Sequence, residues 1–230
     1  MRMIFVRHGH PDYARDCLTE TGKRQAAAAA ERLAGEGITS IFSSPMGRAR
    51  ETAGYTADKL GLPLTILDFM HEIDWGDRGG AEMILDGHPW TLSDMMIGVE
   101  DFRFDQSDWR QHPYFAGNKA VDYADRLGPL FDRELERFGL KREGGRYLCT
   151  AECGETAALF SHGGSGACVL AHMLNLPFPY VCSVLPYDFT SVTILEMTGR
   201  KGEYVFPRLE LFNDAAHIRG GRTEGPAFDK

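Results

Sequence analysis

Two short apolar runs constrain this chain more than anything else in it. Residues 3–6 end abruptly at Arg7-His8-Gly9, and residues 156–161 end at His162-Gly163-Gly164. An apolar run of this length, cut off by a polar, glycine-bearing corner, reads as a buried strand that delivers its polar residues at its C-terminal end. The elements after the first run alternate. Leu18-Thr19-Glu20-Thr21-Gly22 supplies capping hydroxyls, and an alanine-rich helix is expected over 23–33, stopped by Gly35 and Gly37. A second strand is expected over 38–42, a helix opened by Ser43-Ser44-Pro45 over 46–60, and a third strand over 64–67. Strand, helix, strand, helix, strand at this spacing implies crossovers and a parallel sheet covered on both faces. The expected fold is α/β: a three-layer α/β/α sandwich with a mostly parallel central sheet and one antiparallel edge strand.

From 74 to 145 the pattern changes. Trp90, Phe102, Phe104, Trp109, Tyr114 and Phe115 interleave with Asp94, Asp101, Asp105 and Asp108. This stretch is expected to be a helical cap insertion over the active site, its aromatics forming cap core, within a single domain of 1–230. An amphipathic helix over 121–138 closes it, kinked or divided at Gly128-Pro129. Beyond the second apolar run a helix is expected over 165–174. Two further strands, over 191–197 and 204–211, should form an antiparallel hairpin around 199–202. The tail after Arg219 is expected to fray.

Composition narrows the partners. The 230 residues carry a net charge of −8, whereas a general nucleic-acid binder needs a basic stripe. No apolar run approaches the roughly 20 residues of a membrane span, and the N-terminus lacks the basic, apolar, small-residue order of a leader. The expectation is a cytoplasmic protein with neither nucleic acid nor membrane as partner. The five cysteines (Cys17, Cys149, Cys153, Cys168 and Cys182) are an odd, scattered set. Cys149 and Cys153 have no second Cys/His pair at zinc-finger spacing, so they read as thiols, and no metal or cofactor is expected.

In open α/β sheets, ligands bind outside the carboxyl ends of the strands. His8 and His162, 154 positions apart, are therefore expected to share one site. Arg7 precedes the first histidine, and Arg48 falls in the first turn of the helix after the second strand. Gly163 opens a helix whose N-terminal amides suit an anion. Two arginines, two histidines and a helix start converging on one rim suit a phosphoryl group. No P-loop and no aspartate cluster for magnesium is present. The nucleophile must then come from the protein, and a neutral imidazole flanked by arginines is competent near pH 7.

These pieces resemble the histidine phosphatase superfamily, also called phosphoglycerate-mutase-like. The resemblance rests on Arg7-His8-Gly9, on Leu18 through Ala26, on Ser43-Ser44-Pro45-Met46-Gly47-Arg48-Ala49-Arg50-Glu51-Thr52, and on His71-Glu72-Ile73-Asp74-Trp75-Gly76. It continues through Ser161-His162-Gly163-Gly164 to Phe212-Asn213-Asp214 and His217. It implies that His8 accepts the phosphoryl group, that Arg7, Arg48 and His162 clamp its oxygens together with Gly163, and that Glu72 is the general acid and base, with Asp74 in reserve. Glu72 is expected to hold its proton through partial burial. His10 and Ala14 stand where many relatives carry an acid and an asparagine, and Arg78-Gly79-Gly80 replaces Trp-Glu-Gly. The mutase branch reads Glu-Arg-His-Tyr at the acid segment; Glu72-Ile73-Asp74-Trp75 favours a phosphatase of small phosphorylated substrates. Phosphoglycerate mutase-type transfer and a non-catalytic phospho-ligand-binding protein are the alternatives.

Overall fold

The first apolar run forms the central strand β1 (Arg2–Arg7) of a computed structural model that describes residues 1–78, 84–152 and 154–218. Side chains of a strand alternate between faces, and here both sets are buried. Ile4 and Val6 join Leu33, Ile41, Ala53, Ala57, Ala158, Phe160, Val192 and Ile194 in one apolar cluster, while Met3 and Phe5 are buried on the opposite face. Each large side chain removed from water contributes about 1.5–3 kcal/mol.

After β1 a tight hairpin pairs β2 (Pro11–Asp12) with β3 (Cys17–Leu18). Helix α1 (Glu20–Leu33) follows, then β4 (Ser40–Ser43), α2 (Gly47–Leu60) and β5 (Leu64–Ile66). Helix α1 starts three residues earlier than expected because the Thr19 hydroxyl accepts the Gly22 N–H at 3.1 Å, drawing Glu20 and Thr21 into the first turn. Helices α1 and α2 pack together, and their Leu33, Ala53 and Ala57 cover the Ile4/Val6 face of the sheet. Next in the chain come α3 (Pro89–Asp94), α4 (Pro113–Ala116), α5 (Ala120–Glu136), β6 (Leu140–Glu143), β7 (Arg146–Cys149), β8 (Thr156–Ser161), α6 (Gly163–Leu174) and α7 (Phe178–Val184). The chain continues as β9 (Val192–Glu196), β10 (Tyr204–Val205) and β11 (Arg208–Asp214).

The main sheet runs β11-β9-β1-β8-β4-β5. The pairs β1/β8, β8/β4 and β4/β5 are parallel, as expected of a crossover-connected sheet. The strand that runs against the others is β9, paired antiparallel with both β1 and β11. It sits one place in from the edge rather than at it, because β11 folds back outside it.

The last two expected strands are also divided differently. Residues 204–205 leave the hairpin to pair with β7 in a separate three-stranded sheet, β10-β7-β6, and only β11 returns to β9. Pro207, which has no N–H for a ladder, separates the two pieces. The β6/β7 hairpin and α7 were not foreseen from the sequence; the hairpin turns at Gly144, whose φ of +65° lies in the left-handed region. Helix α5 runs undivided through Pro129, its stripe of Leu127, Phe131 and Leu135 buried.

The chain divides into two compact units, Met1–Glu72 with Asp132–Gly166 and Tyr187–Lys230, and Ile73–Phe131 with Ala167–Pro186. Within the second unit, Trp109 meets Phe115 edge-on at 5.2 Å, and Ser183 donates to Asp94 at 2.7 Å. Trp90, Trp109 and Phe115 are buried there as core. No single helix among the described residues is long and apolar enough to cross a membrane. Cys153, the Gly79-Gly80 departure and the tail after Arg219 lie outside the described residues.

Candidate active site

Strand register brings the two histidines together. In the parallel ladder Arg7 is opposite Ser161, so His8 and His162 each stand one residue past a matched pair. The His8 N–H donates to Ser161 O at 2.9 Å, and on the other side of β8 the Ser44 N–H donates to Phe160 O at 2.9 Å. Three adjacent strand ends thus place His8, His162 and Ser44 side by side. The two imidazole centroids are 5.1 Å apart, and both rings are buried.

The His8 ring is fixed in one tautomer. Its Nδ1–H donates to the Gly9 carbonyl at 2.8 Å, which leaves Nε2 as the lone-pair nitrogen, and Arg48 Nε–H approaches that nitrogen at 3.3 Å. Burial first, then the nearby Arg7 and Arg48 guanidinium groups, hold the His8 pKa well below its ordinary value, against the opposing pull of the Gly9 hydrogen bond. The ring is therefore a neutral imidazole at pH 7. The sequence pointed to the arginines as the cause, but desolvation is the larger effect.

His162 is neutral for related reasons: burial, then His8, Arg48 and Arg7, lower its pKa. Its Nε2 lies 2.6 Å from Ser44 Oγ, and its buried Nδ1 has no hydrogen-bond partner among the described residues. Arg7 donates from Nη1 to the Tyr187 carbonyl at 2.8 Å, and its guanidinium lies 4.1 Å from the centroid of the Phe189 ring. That ring also faces His8 at 5.6 Å. Arg48 is buried in the first turn of α2, where a lone arginine on a helix is more often a solvated charge.

Glu72 follows the short 3₁₀ turn Asp68–Met70 after β5. Its carboxylate accepts the Ser165 N–H at 3.0 Å and the Gly164 N–H at 3.3 Å. The amides expected to be open to an incoming anion are thus partly taken: the chain's own carboxylate occupies two of them, at the end of the helix where negative charge is favoured. Since α6 begins immediately after His162, this contact ties Glu72 to the second histidine corner. Asp74 belongs to the other unit, where it is exposed and ion-paired with Lys119 at 3.3 Å.

Glycines make the close approaches possible. A Cβ on Gly9 would lie 2.7 Å from Gly22 O, and one on Gly22 only 2.2 Å from His10 O. Helix α1 therefore presses its first turn onto the loop that carries the nucleophile candidate, and the His10 N–H is accepted by Gln25 at 2.7 Å. Thr52 adds a fastening, accepting the Gly9 N–H at 3.0 Å while donating to Arg48 O at 2.7 Å. His10 is exposed at the loop surface, its ring beside Thr19 and Phe189. His217 lies against Thr190 at 3.1 Å, and Asn213 accepts from the Asp188 N–H at 2.8 Å.

Sequence reasoning missed Ser44, Thr52, Asp16 and Phe189. Ser44 was legible as part of Ser43-Ser44-Pro45, but a hydroxyl before a helix reads as a cap; only the neighbouring strand shows that it faces an imidazole.

The chain is similar to known proteins in sequence and in fold. A glucosyl-3-phosphoglycerate phosphatase of Mycolicibacterium vanbaalenii is 29% identical over 185 residues, covering 76% of this chain and 75% of that one. A probable phosphoglycerate mutase GpmB of Yersinia pestis is 28% identical over 163 residues, covering 70% of this chain and 64% of the relative. The native structure of a mycobacterial glucosyl-3-phosphoglycerate phosphatase superposes with a TM-score of 0.60 at 27% identity, covering 92% of this chain and 98% of that one. The sequence profile of the histidine phosphatase superfamily (branch 1) matches residues 3–209, and with that span and this pair of histidine corners the chain belongs to the histidine phosphatase superfamily.

Proposed function

We propose that the protein is a metal-independent phosphatase that hydrolyses a small phosphomonoester through a phosphohistidine on His8. The observation that carries this reading is the His8 ring itself: buried, neutral, and turned by its Gly9 hydrogen bond so that the unprotonated Nε2 lies beside Arg48. Nε2 attacks phosphorus, the ester P–O bond breaks, and the leaving oxygen takes a proton from Glu72, which carries it when the negative charge of the bound phosphoryl group offsets the preference of the α6 amides for the carboxylate. Water, deprotonated by Glu72, then attacks the phosphohistidine and releases inorganic phosphate. The loose transition state spreads charge over three equatorial oxygens. Arg7, Arg48, the His162 Nδ1 side and the Gly163 amide are assigned to those oxygens, and fixed donors of this kind stabilise developing charge without reorganising.

Two of the three relatives described above are phosphatases, which favours phosphatase chemistry, and the phosphorylated acids in their names support a small phosphorylated substrate. The GpmB relative keeps mutase-type transfer as the second reading. The test is turnover of an aryl phosphate in chelator by wild type and His8→Ala, with an alkaline denaturing quench to assay phosphoryl retained on the protein. Turnover abolished in H8A, with acid-labile phosphate present only in wild type, is expected; equal rates would overturn the reading. Interconversion of 3-phosphoglycerate with little phosphate release would identify a mutase instead.

A further inference from the structure

The segment between the nucleophile corner and α1 is only a tight hairpin, and its last turn residue reaches back to the clamp. Asp16 has φ +49°, a left-handed conformation that aspartate tolerates better than most side chains. Its carbonyl oxygen stands 2.1 Å from where a Cβ on Gly47 would be, so the hairpin lies directly on the start of α2. From there the Asp16 carboxylate makes two contacts. Oδ2 accepts the Gly47 N–H at 2.6 Å, and Oδ1 accepts from Arg48 Nη1 at 2.6 Å. The arginine side chain is 5% exposed and the aspartate 39%. The hairpin is itself pinned to α2, since the Leu18 N–H donates to Glu51 at 2.7 Å.

A guanidinium is a rigid plane with two forks. Fixing Nη1 on Asp16 fixes the plane and leaves the opposite fork, Nε with Nη2, on the side of His8, where Nε already lies 3.3 Å from the imidazole. That fork suits two oxygens of a phosphoryl group. The carboxylate also cancels part of the Arg48 charge, and partial cancellation beside an anion site loosens the hold on a product anion.

We propose that Asp16 is a positioning residue for Arg48: it sets which fork of the guanidinium faces the phosphorus and weakens retention of product phosphate. This rests on the phosphatase reading. It acts through Arg48 and touches neither substrate nor reacting atoms.

The experiment measures binding of inorganic phosphate by calorimetry and the kcat and KM for an aryl phosphate, in wild type, Asp16→Asn and Asp16→Glu. In D16N, phosphate should bind about three- to tenfold more tightly while kcat falls at least tenfold. D16E keeps the charge with the carboxylate one methylene further out, so phosphate affinity should stay within twofold of wild type while kcat falls. It serves as the decisive variant if D16N does not fold. In an Arg48→Gln background, D16N should change kcat by less than twofold. Unchanged kcat in folded D16N or D16E, or phosphate binding in D16N that is unchanged or weaker, overturns the proposal. If wild type binds phosphate but hydrolyses no ester, the phosphatase reading fails while the phosphate measurements still decide the role of Asp16. If wild type neither binds phosphate nor turns over, both fail.

Discussion

Ser44 Oγ lies 2.6 Å from Nε2 of His162. The same oxygen accepts the Met46 N–H at 3.2 Å. The hydrogen bond on one ring nitrogen sets what the other can do. We predict that the Ser44 hydroxyl directs its own proton at Nε2, which puts the ring proton on Nδ1, a buried nitrogen with no hydrogen-bond partner among the described residues, and makes His162 a donor there.

Ser44→Ala removes that tautomer control. Loss of a single preorganised donor costs on the order of 10²–10³ in rate, and a donor that is misassigned rather than deleted should cost about 10- to 100-fold in kcat/KM. Steady-state kinetics check the loss, and nitrogen NMR of His162 should show the Nδ1–H form in wild type and a mixture in S44A.

Glu72→Gln separates proton donation from clamping. A general acid contributes about 10²–10⁴-fold when the leaving oxygen is basic, and much less when it leaves readily as an aryloxide. Hydrolysis of an alkyl phosphate should fall by that range, while a nitrophenyl phosphate should lose less than about tenfold. Equal losses on both substrates would mean that Glu72 only holds the start of α6.

The buried neutral histidines also fix the pH dependence of stability. His8 and His162 have folded-state pKa values well below the ordinary one. Above about pH 6.5 neither the folded nor the unfolded chain protonates them. Below it only the unfolded chain takes up the protons, so each ring withdraws about 1.4 kcal/mol of stability per pH unit until its folded pKa is reached. Urea midpoints should therefore fall as the pH drops below about 6.5, and His8→Ala should show a shallower slope there. The salt-bridged carboxylates, such as Glu36 and Asp214, have lowered pKa values and respond at lower pH.

Gly22→Ala tests the close approach of α1 to the loop after His8. The new Cβ would stand 2.2 Å from His10 O and 3.0 Å from its amide nitrogen. Overpacking of backbone against backbone typically costs about 1–3 kcal/mol. Thermal unfolding should show that loss, and the folded variant should turn over more slowly because the loop after His8 must shift.

Much of this molecule was legible before any coordinates. The apolar runs of 3–6 and 156–161 read as buried strands, and hydrophobic period with glycine punctuation placed α1, β4, α2, β5 and β8 within a few residues. The histidine corners followed, since a parallel strand has to end at the same rim as its neighbour. The boundary at 207 was harder: the stretch 204–211 alternates well enough for one strand, and one missing N–H at Pro207 decided otherwise. Helix α5 went the other way. Pro129 read as a break, but the buried stripe of Leu127, Phe131 and Leu135 holds the element together.

Local patterns followed from the residues alone: that the runs 3–6 and 156–161 are strands, where glycines permit close approach, and which corners carry imidazole and guanidinium. Only the tertiary structure decided partnerships: that Ser44 addresses His162, that Asp16 holds Arg48, and that Glu72 occupies the amides at the start of α6. The physical reason is one of range. Periodicity and capping act between neighbours along the chain, whereas a hydrogen bond between residues 44 and 162 depends on strand order and register, which no local pattern encodes.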